Sequence, residues 1–151
     1  MKRMFLGGPF KSWVDPRTGT MSEARIKLFD RVIAHFEQQG WDVHCAHRRE
    51  KWGREFMTPA VCTRTDFEQI SLCDYFVAFP GAPASPGTHI ELGWASALGK
   101  SIVLLLEADQ EYAYLVRGLD EVTRIERVEY RDDYVDPTTV EAAIERLQAR
   151  H

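Results

Sequence analysis

The chain has 151 residues, 44% of them hydrophobic and 28% charged, which is enough to bury one core without metals or disulfides and is read as a single domain over residues 1–151. A net charge of −4 and a pI near 5.7 argue against a general nucleic-acid or membrane-surface role, and no run approaches the roughly 18 apolar residues of a membrane span. The N-terminus enters an apparent strand with no signal-peptide apolar core, so a cytoplasmic protein is expected. Three cysteines, Cys45, Cys62 and Cys73, without a Cys-x-x-Cys pair, read as free thiols and suggest neither a disulfide framework nor a zinc site.

In chain order, Arg3 to Leu6 make a first strand that Gly7-Gly8-Pro9 ends. The loop from Gly7 to Met21 carries Phe10, Lys11, Trp13, Asp15 and Arg17, a mixture that suits either a functional loop or a flap over the sheet edge. Ser22 caps an amphipathic helix that closes near Gly40, and Trp41 to Ala46 give a second strand. The basic segment His47-Arg48-Arg49-Glu50-Lys51-Trp52-Gly53 follows at that strand's C-terminal end, the ligand side of an open α/β sheet.

A helix from Thr58-Pro59 to about Leu72 carries Asp66, with Arg64 as a candidate ion-pair partner. The apolar run Tyr75 to Phe79 is a buried strand. It leads through a Pro, Gly, Ala and Ser loop into a helix with Ile90, Trp94 and Leu98 at helical spacing. Ser101 to Leu106 form a central strand, Glu111 to Gly118 a short helix, Val122 to Val128 an edge strand, and Pro137 to Arg150 a closing helix. This alternation predicts an α/β fold, a five-stranded parallel sheet with helices on both faces, of flavodoxin-like or Rossmann-like type.

The loop at Ser85 and Gly87 brings unpaired helix N–H groups towards an anion. Glu91, one turn on, has two readings. Thr88-His89-Ile90-Glu91 has the form of a capping box, with Thr88 as cap and Glu91 returning to its backbone. Alternatively, Glu91 and Asp66 work together, one attacking an anomeric carbon and the other assisting the leaving group, as in retaining glycoside hydrolysis. Gly81, Gly87 and Gly93, with five residues between neighbours, match neither a Walker loop nor a dinucleotide fingerprint.

FLGGPF at Phe5 to Phe10, AHRREKWG at Ala46 to Gly53, Asp66 eight residues before Asp74, and SPGTHIELGWASALGK at Ser85 to Lys100 together resemble the nucleoside 2-deoxyribosyltransferase superfamily. Within it the chain is most similar to the nucleotide N-hydrolases that cleave CMP or 5-hydroxymethyl-CMP in nucleoside-antibiotic pathways of the mildiomycin and blasticidin type. The resemblance implies that Glu91 is a nucleophile forming a ribosyl ester. It implies that Asp66 protonates the base or orients the sugar, that Ser85 and Gly87 bind the 5′-phosphate, and that Thr88 is also among the substrate-binding residues. By the same resemblance Phe5, Gly7 and Gly8 form the floor, and His47 and Arg48 lie where the base and phosphate surroundings are built. Phe10-Lys11 falls on a Phe-Arg pair associated with preference for ribonucleotides, and the lysine departs from it. The implied ligand is a pyrimidine nucleoside 5′-monophosphate, with no metal or organic cofactor and a homodimer or higher homo-oligomer as the assembly. The alternatives are a 2′-deoxynucleotide N-hydrolase, a nucleoside deoxyribosyltransferase, or a nucleotide-sensing module without chemistry.

Overall fold

The computed structural model of the chain describes residues 1–150. Strand β1 (Arg3–Gly7) is followed by a two-stranded antiparallel ribbon, β2 (Val14–Asp15) and β3 (Thr20–Met21), which occupies the long loop. Helix α1 (Glu23–Glu37), strand β4 (Asp42–His44), the single turn α2 (Ala46–Arg49) and helix α3 (Pro59–Leu72) come next. They are succeeded by β5 (Tyr75–Ala78), α4 (Pro86–Ala97), β6 (Ser101–Glu107), α5 (Tyr114–Arg117), β7 (Ile125–Tyr130) and α6 (Pro137–Ala149). The main sheet has five parallel strands in the order β4-β1-β5-β6-β7. Chain direction across the sheet reverses between β1 and β5, and that switch point leaves a crevice beyond their C-terminal ends.

The uninterrupted apolar runs follow from burial on both faces of the sheet. On one face Met4, Leu6, Val77, Val103 and Leu105 pack with Phe29, Val32 and Phe36 of α1 and Val140, Ile144 and Leu147 of α6. On the other, Phe5, Phe76, Ala78, Ile102 and Leu104 pack with Ile70 of α3 and with Leu92 and Ala95 of α4. Each large apolar side chain so buried contributes roughly 1.5–3 kcal/mol. No helix among the described residues is long and apolar enough to cross a membrane.

Several local expectations are corrected. Strand β4 stops at His44, and Ala46 to Arg49 wind into a helical turn, so the basic segment is helical rather than an extension of the strand. Strand β7 begins at Ile125, because Leu119 to Glu121 form a 3-10 turn that leaves Val122 exposed. Helix α4 starts three residues earlier than a Thr88 cap requires: Ser85 is the N-cap, its side chain accepting from the Thr88 N–H, and Pro86 takes the first helical position. A Ser-Pro start satisfies one first-turn N–H and puts a residue without N–H where none is needed, so it displaces the capping box. The Ile90, Trp94 and Leu98 stripe faces away from the sheet, with Ile90 and Leu98 exposed, whereas Thr88, Leu92 and Ala95 are buried.

Glu50 is followed by three residues of positive φ, Lys51, Trp52 and Gly53. This turn is tied to the ribbon by a hydrogen bond from Thr20 Oγ1 to the Trp52 carbonyl (3.2 Å). Gly53 has φ of 102°, and a Cβ there would lie 2.5 Å from Val14 Cγ2, a short branched side chain with little room to turn. Gly53→Ala is therefore expected to destabilise the protein by roughly 1–3 kcal/mol, read as a lowered midpoint in thermal or urea unfolding.

Candidate active site

A cavity of about 590 Å³ opens at the switch point, within the range of small-molecule sites. Its wall is built from the loop after β1 (Gly8, Phe10, Lys11, Ser12), from Thr63 and Asp66 of α3, and from Ser85 and the first turns of α4, including Gly87, Thr88, Ile90, Glu91 and Trp94. Gly7 and Phe5 lie behind this wall. A Cβ on Gly7 would sit 3.2 Å from the Phe5 ring, tighter than an ordinary contact, and 3.5 Å from Glu91 Oε1, so the bare backbone makes room for the Phe5 ring beside the Glu91 carboxylate. Phe5 is fully buried and stacks on Phe76 and His44.

Glu91 projects from α4 into the cavity wall beside Asp66 of α3, close enough for the two carboxyl groups to influence each other. Burial pushes its carboxyl well above the usual range, and the neighbouring Asp66 charge adds to the effect. Asp66 is held instead by Arg49 of α2, whose Nη1 donates to Oδ1 at 2.9 Å, rather than by Arg64. Arg49 Nη2 donates to Glu50 Oε2 (3.1 Å), and Glu50 Oε1 accepts from the Met57 N–H (2.8 Å). His44 Nε2 is 2.8 Å from Arg49 Nη1. Since a guanidinium can only donate, that nitrogen accepts and His44 is neutral, in keeping with burial, which lowers its proton affinity. Cys62, one turn before Asp66 on α3, directs its Sγ at Asp66 Oδ2 (3.5 Å), and burial raises the thiol to about 11.

At the other end of the cavity, Ser85 Oγ accepts from the Thr88 N–H (3.4 Å) and hydroxyl (2.9 Å), leaving its own proton free to donate. The positive end of α4, Gly87 included, faces the same space. Lys11 lines the cavity with Nζ 5.4 Å from the centre of the Phe56 ring, and Phe56 also packs on Phe10 (4.9 Å).

Two residues expected near a ligand have other partners. His47 is buried between the rings of Phe10 and Phe29, each centred 4.3 Å away, and its Nε2 is 2.9 Å from the Pro9 carbonyl. Burial lowers its proton affinity to about 4, so the neutral ring donates to Pro9 and pins the loop that carries Phe10 and Lys11. Arg48 points away from the cavity, to Glu37 (2.7 Å) and the Val43 carbonyl (2.9 Å). Successive helical residues differ in direction by about 100°, so Arg49 rather than Arg48 faces Asp66. Arg49, Glu50 and Cys62 were missed by the sequence reading; the signal for the first two was only their membership of the basic segment.

A profile of the nucleoside 2-deoxyribosyltransferase family matches residues 18–143. The chain belongs to this family. CMP N-glycosidase BcmB of Clostridium botulinum is 38% identical, with 93% of this chain and 98% of that one covered and a TM-score of 0.70. BlsM, known from a solution structure, is 48% identical over 99% of this chain and 93% of its own, with a TM-score of 0.85. A 2-deoxyribosyltransferase of Bacillus psychrosaccharolyticus, 20% identical with a TM-score of 0.57 over 91% of this chain and 95% of its own, shares the fold. No curated protein matches the chain.

The raised Glu91 carboxyl has a consequence for stability. The native state keeps its proton at pH values where the unfolded chain has lost it, so this group's contribution declines as pH rises from about 4.5 through its folded value. Glu91→Gln removes the decline. The variant is expected to melt progressively higher than the parent as pH increases over that window, at about 2–4 °C per kcal/mol, with the difference constant once both states of Glu91 are ionised. Calorimetry across a pH series measures it.

Proposed function

We propose that the protein hydrolyses the N-glycosidic bond of a pyrimidine ribonucleoside 5′-monophosphate, CMP or 5-hydroxymethyl-CMP, to free base and ribose 5-phosphate. The observation that carries this reading is the Glu91–Asp66 carboxyl pair at one end of a cavity whose other end is the Ser85-capped N-terminus of α4. A nucleotide joins the two ends: its phosphate meets Ser85, Gly87 and Thr88, and its anomeric carbon meets Glu91. The 38% identity with a CMP N-glycosidase supports cytidylate as the substrate.

Glu91 starts with its proton, which burial holds on the carboxyl, and Asp66 is ion-paired with Arg49. On nucleotide binding that proton passes to Asp66. The Glu91 carboxylate then attacks C1′, the C1′–N bond breaks with its electrons leaving on the base, and Asp66 supplies the proton the base takes up. Water next attacks C1′ of the ester, giving a proton to Asp66 and releasing Glu91. The pair ends with the single proton it began with.

Lys11 favours a second reading, a 2′-deoxynucleotide N-hydrolase, because an ammonium lacks the planar two-pronged donor of an arginine at this position. Transfer of the sugar to a second base remains the family alternative to water, and a nucleotide-sensing role without chemistry would leave the carboxyl pair unused. The active assembly is a homo-oligomer in this proposal. Its support is the exposed apolar face of α3 and α4, where Phe67 meets Trp94 edge-on and Ile90 and Leu98 are uncovered beside the cavity.

Incubation with CMP, 5-hydroxymethyl-CMP, dCMP and UMP, followed by chromatography of the free base, is expected to show fastest release from a cytidine ribonucleotide. Glu91→Ala should lower that release by at least about 10³-fold. Undiminished release in Glu91→Ala, or release only with an added acceptor base, defeats the hydrolase reading; dCMP as best substrate selects the second reading, with Lys11→Arg as its check. The one-proton requirement also makes kcat/KM bell-shaped in pH. Activity falls above the pair's upper pKa, where no proton remains for the base, and below its lower one, where Glu91 stays protonated.

A further inference from the structure

We infer that Arg49 is a positioning residue that holds the Asp66 carboxylate as an anion and thereby assigns the proton of the cavity pair to Glu91, with Glu50 fixing the guanidinium for that task. Arg49 is absent from the cavity wall and reaches the pair only through Asp66. Its two terminal nitrogens are divided between carboxylates in different parts of the chain, Asp66 of α3 at 2.9 Å and Glu50, which caps the end of α2, at 3.1 Å. Glu50 is 2% exposed and has its second oxygen committed to the Met57 N–H, so it cannot swing away and take Arg49 with it. The inference rests on the reading of Glu91 and Asp66 as the reacting pair.

The groups facing Asp66 from each packed element are few. From β4 comes His44, neutral and accepting from Arg49; from α2 and its C-cap come Arg49 and Glu50; from α3 comes Cys62, a thiol at 3.5 Å; from α4 comes Glu91. The positive charge acting on the pair is that of Arg49, and it touches one member only. A cation at hydrogen-bond distance stabilises the anion it touches far more than one a residue further off, so the proton goes to the carboxyl without direct contact. A lysine at this position could contact one carboxylate but not span two.

A structural role, in which Arg49 and Glu50 merely offset each other's burial, makes a different prediction. The two are distinguished by following the side-chain carboxyl carbons of Asp66 and Glu91 by NMR across pH in the full-length protein, in the parent, in Arg49→Lys and in the double variant Arg49→Gln/Glu50→Gln. The double variant removes a cation and an anion together, so Asp66 is the one carboxylate left without its cation, against two in Arg49→Gln alone, and it remains a folded test if that single variant does not. In the parent the upper titration should move the Glu91 carbon and leave Asp66 nearly still. In the double variant Asp66 should bind its proton at higher pH than in the parent and share the upper titration with Glu91. The acid limb of kcat/KM for CMP should move by the same amount with little change in KM, and Arg49→Lys should fall between.

An unchanged Asp66 titration in the cooperatively folding double variant overturns the inference, even if activity falls. A shifted titration in a protein that releases no base from any nucleotide upholds it and defeats the proposed hydrolysis instead.

Discussion

Glu91 and Asp66 line the same cavity wall, and burial with the neighbouring Asp66 charge favours the neutral form of Glu91, since ionising both would set like charges together where little water screens them. The surrounding architecture is arranged about that constraint. Asp66 comes from α3 and Glu91 from α4, the helices flanking β5, so their meeting depends on both packing on the same face of the sheet. Gly7 at the end of β1 borders the Glu91 carboxylate and leaves room for the Phe5 ring behind it. A carboxyl that keeps its proton beside one paired with a guanidinium is suited to a reaction needing an anionic nucleophile and a proton donor in succession.

The donors and the carboxyl groups of the site are separated along the cavity. Towards the Ser85 end, hydroxyls, an N-cap and the first turn of α4 offer donors, and Lys11 is the cation in the cavity wall. At the Glu91 end, the single guanidinium is already engaged by Asp66 and Glu50. A ligand with its negative charge at one end and developing positive charge at the other fits this polarity, whereas a simple anion would be repelled at the carboxylate end. Helix-terminal attraction of an anion amounts to about 0.3–1 kcal/mol, rising to about 2 when partly buried, so orientation rather than raw affinity is what the α4 terminus contributes.

The loop after β1 forms one wall, and it is held from within the core. His47, neutral and clasped between Phe10 and Phe29, bonds the Pro9 carbonyl, while the ribbon and the Lys51–Gly53 turn brace the other side through Thr20 and Trp52. A residue that looks like a ligand contact in the sequence thus serves the site by fixing backbone. Arg48, its neighbour, serves the α1 surface through Glu37.

The order of strands and helices was legible because parallel strands buried on both faces must be apolar throughout, and because Ser22, Thr58 and Pro137 mark helix starts by local chemistry. So was the small-residue loop into α4. The sequence could not show which way α4 turns, since Ile90, Trp94 and Leu98 have core-like spacing yet face outward, and only the packing of Thr88, Leu92 and Ala95 on the sheet decides it. Nor could it separate Arg49 from Arg48, one helical step apart, or bring Asp66 to Glu91 across the gap between two helices. Residue types and local starts are properties of neighbours along the chain. The approach of Glu91 to Asp66, and the Arg49 guanidinium that holds Asp66, are properties of distances that exist only once α2, α3 and α4 are packed on the sheet.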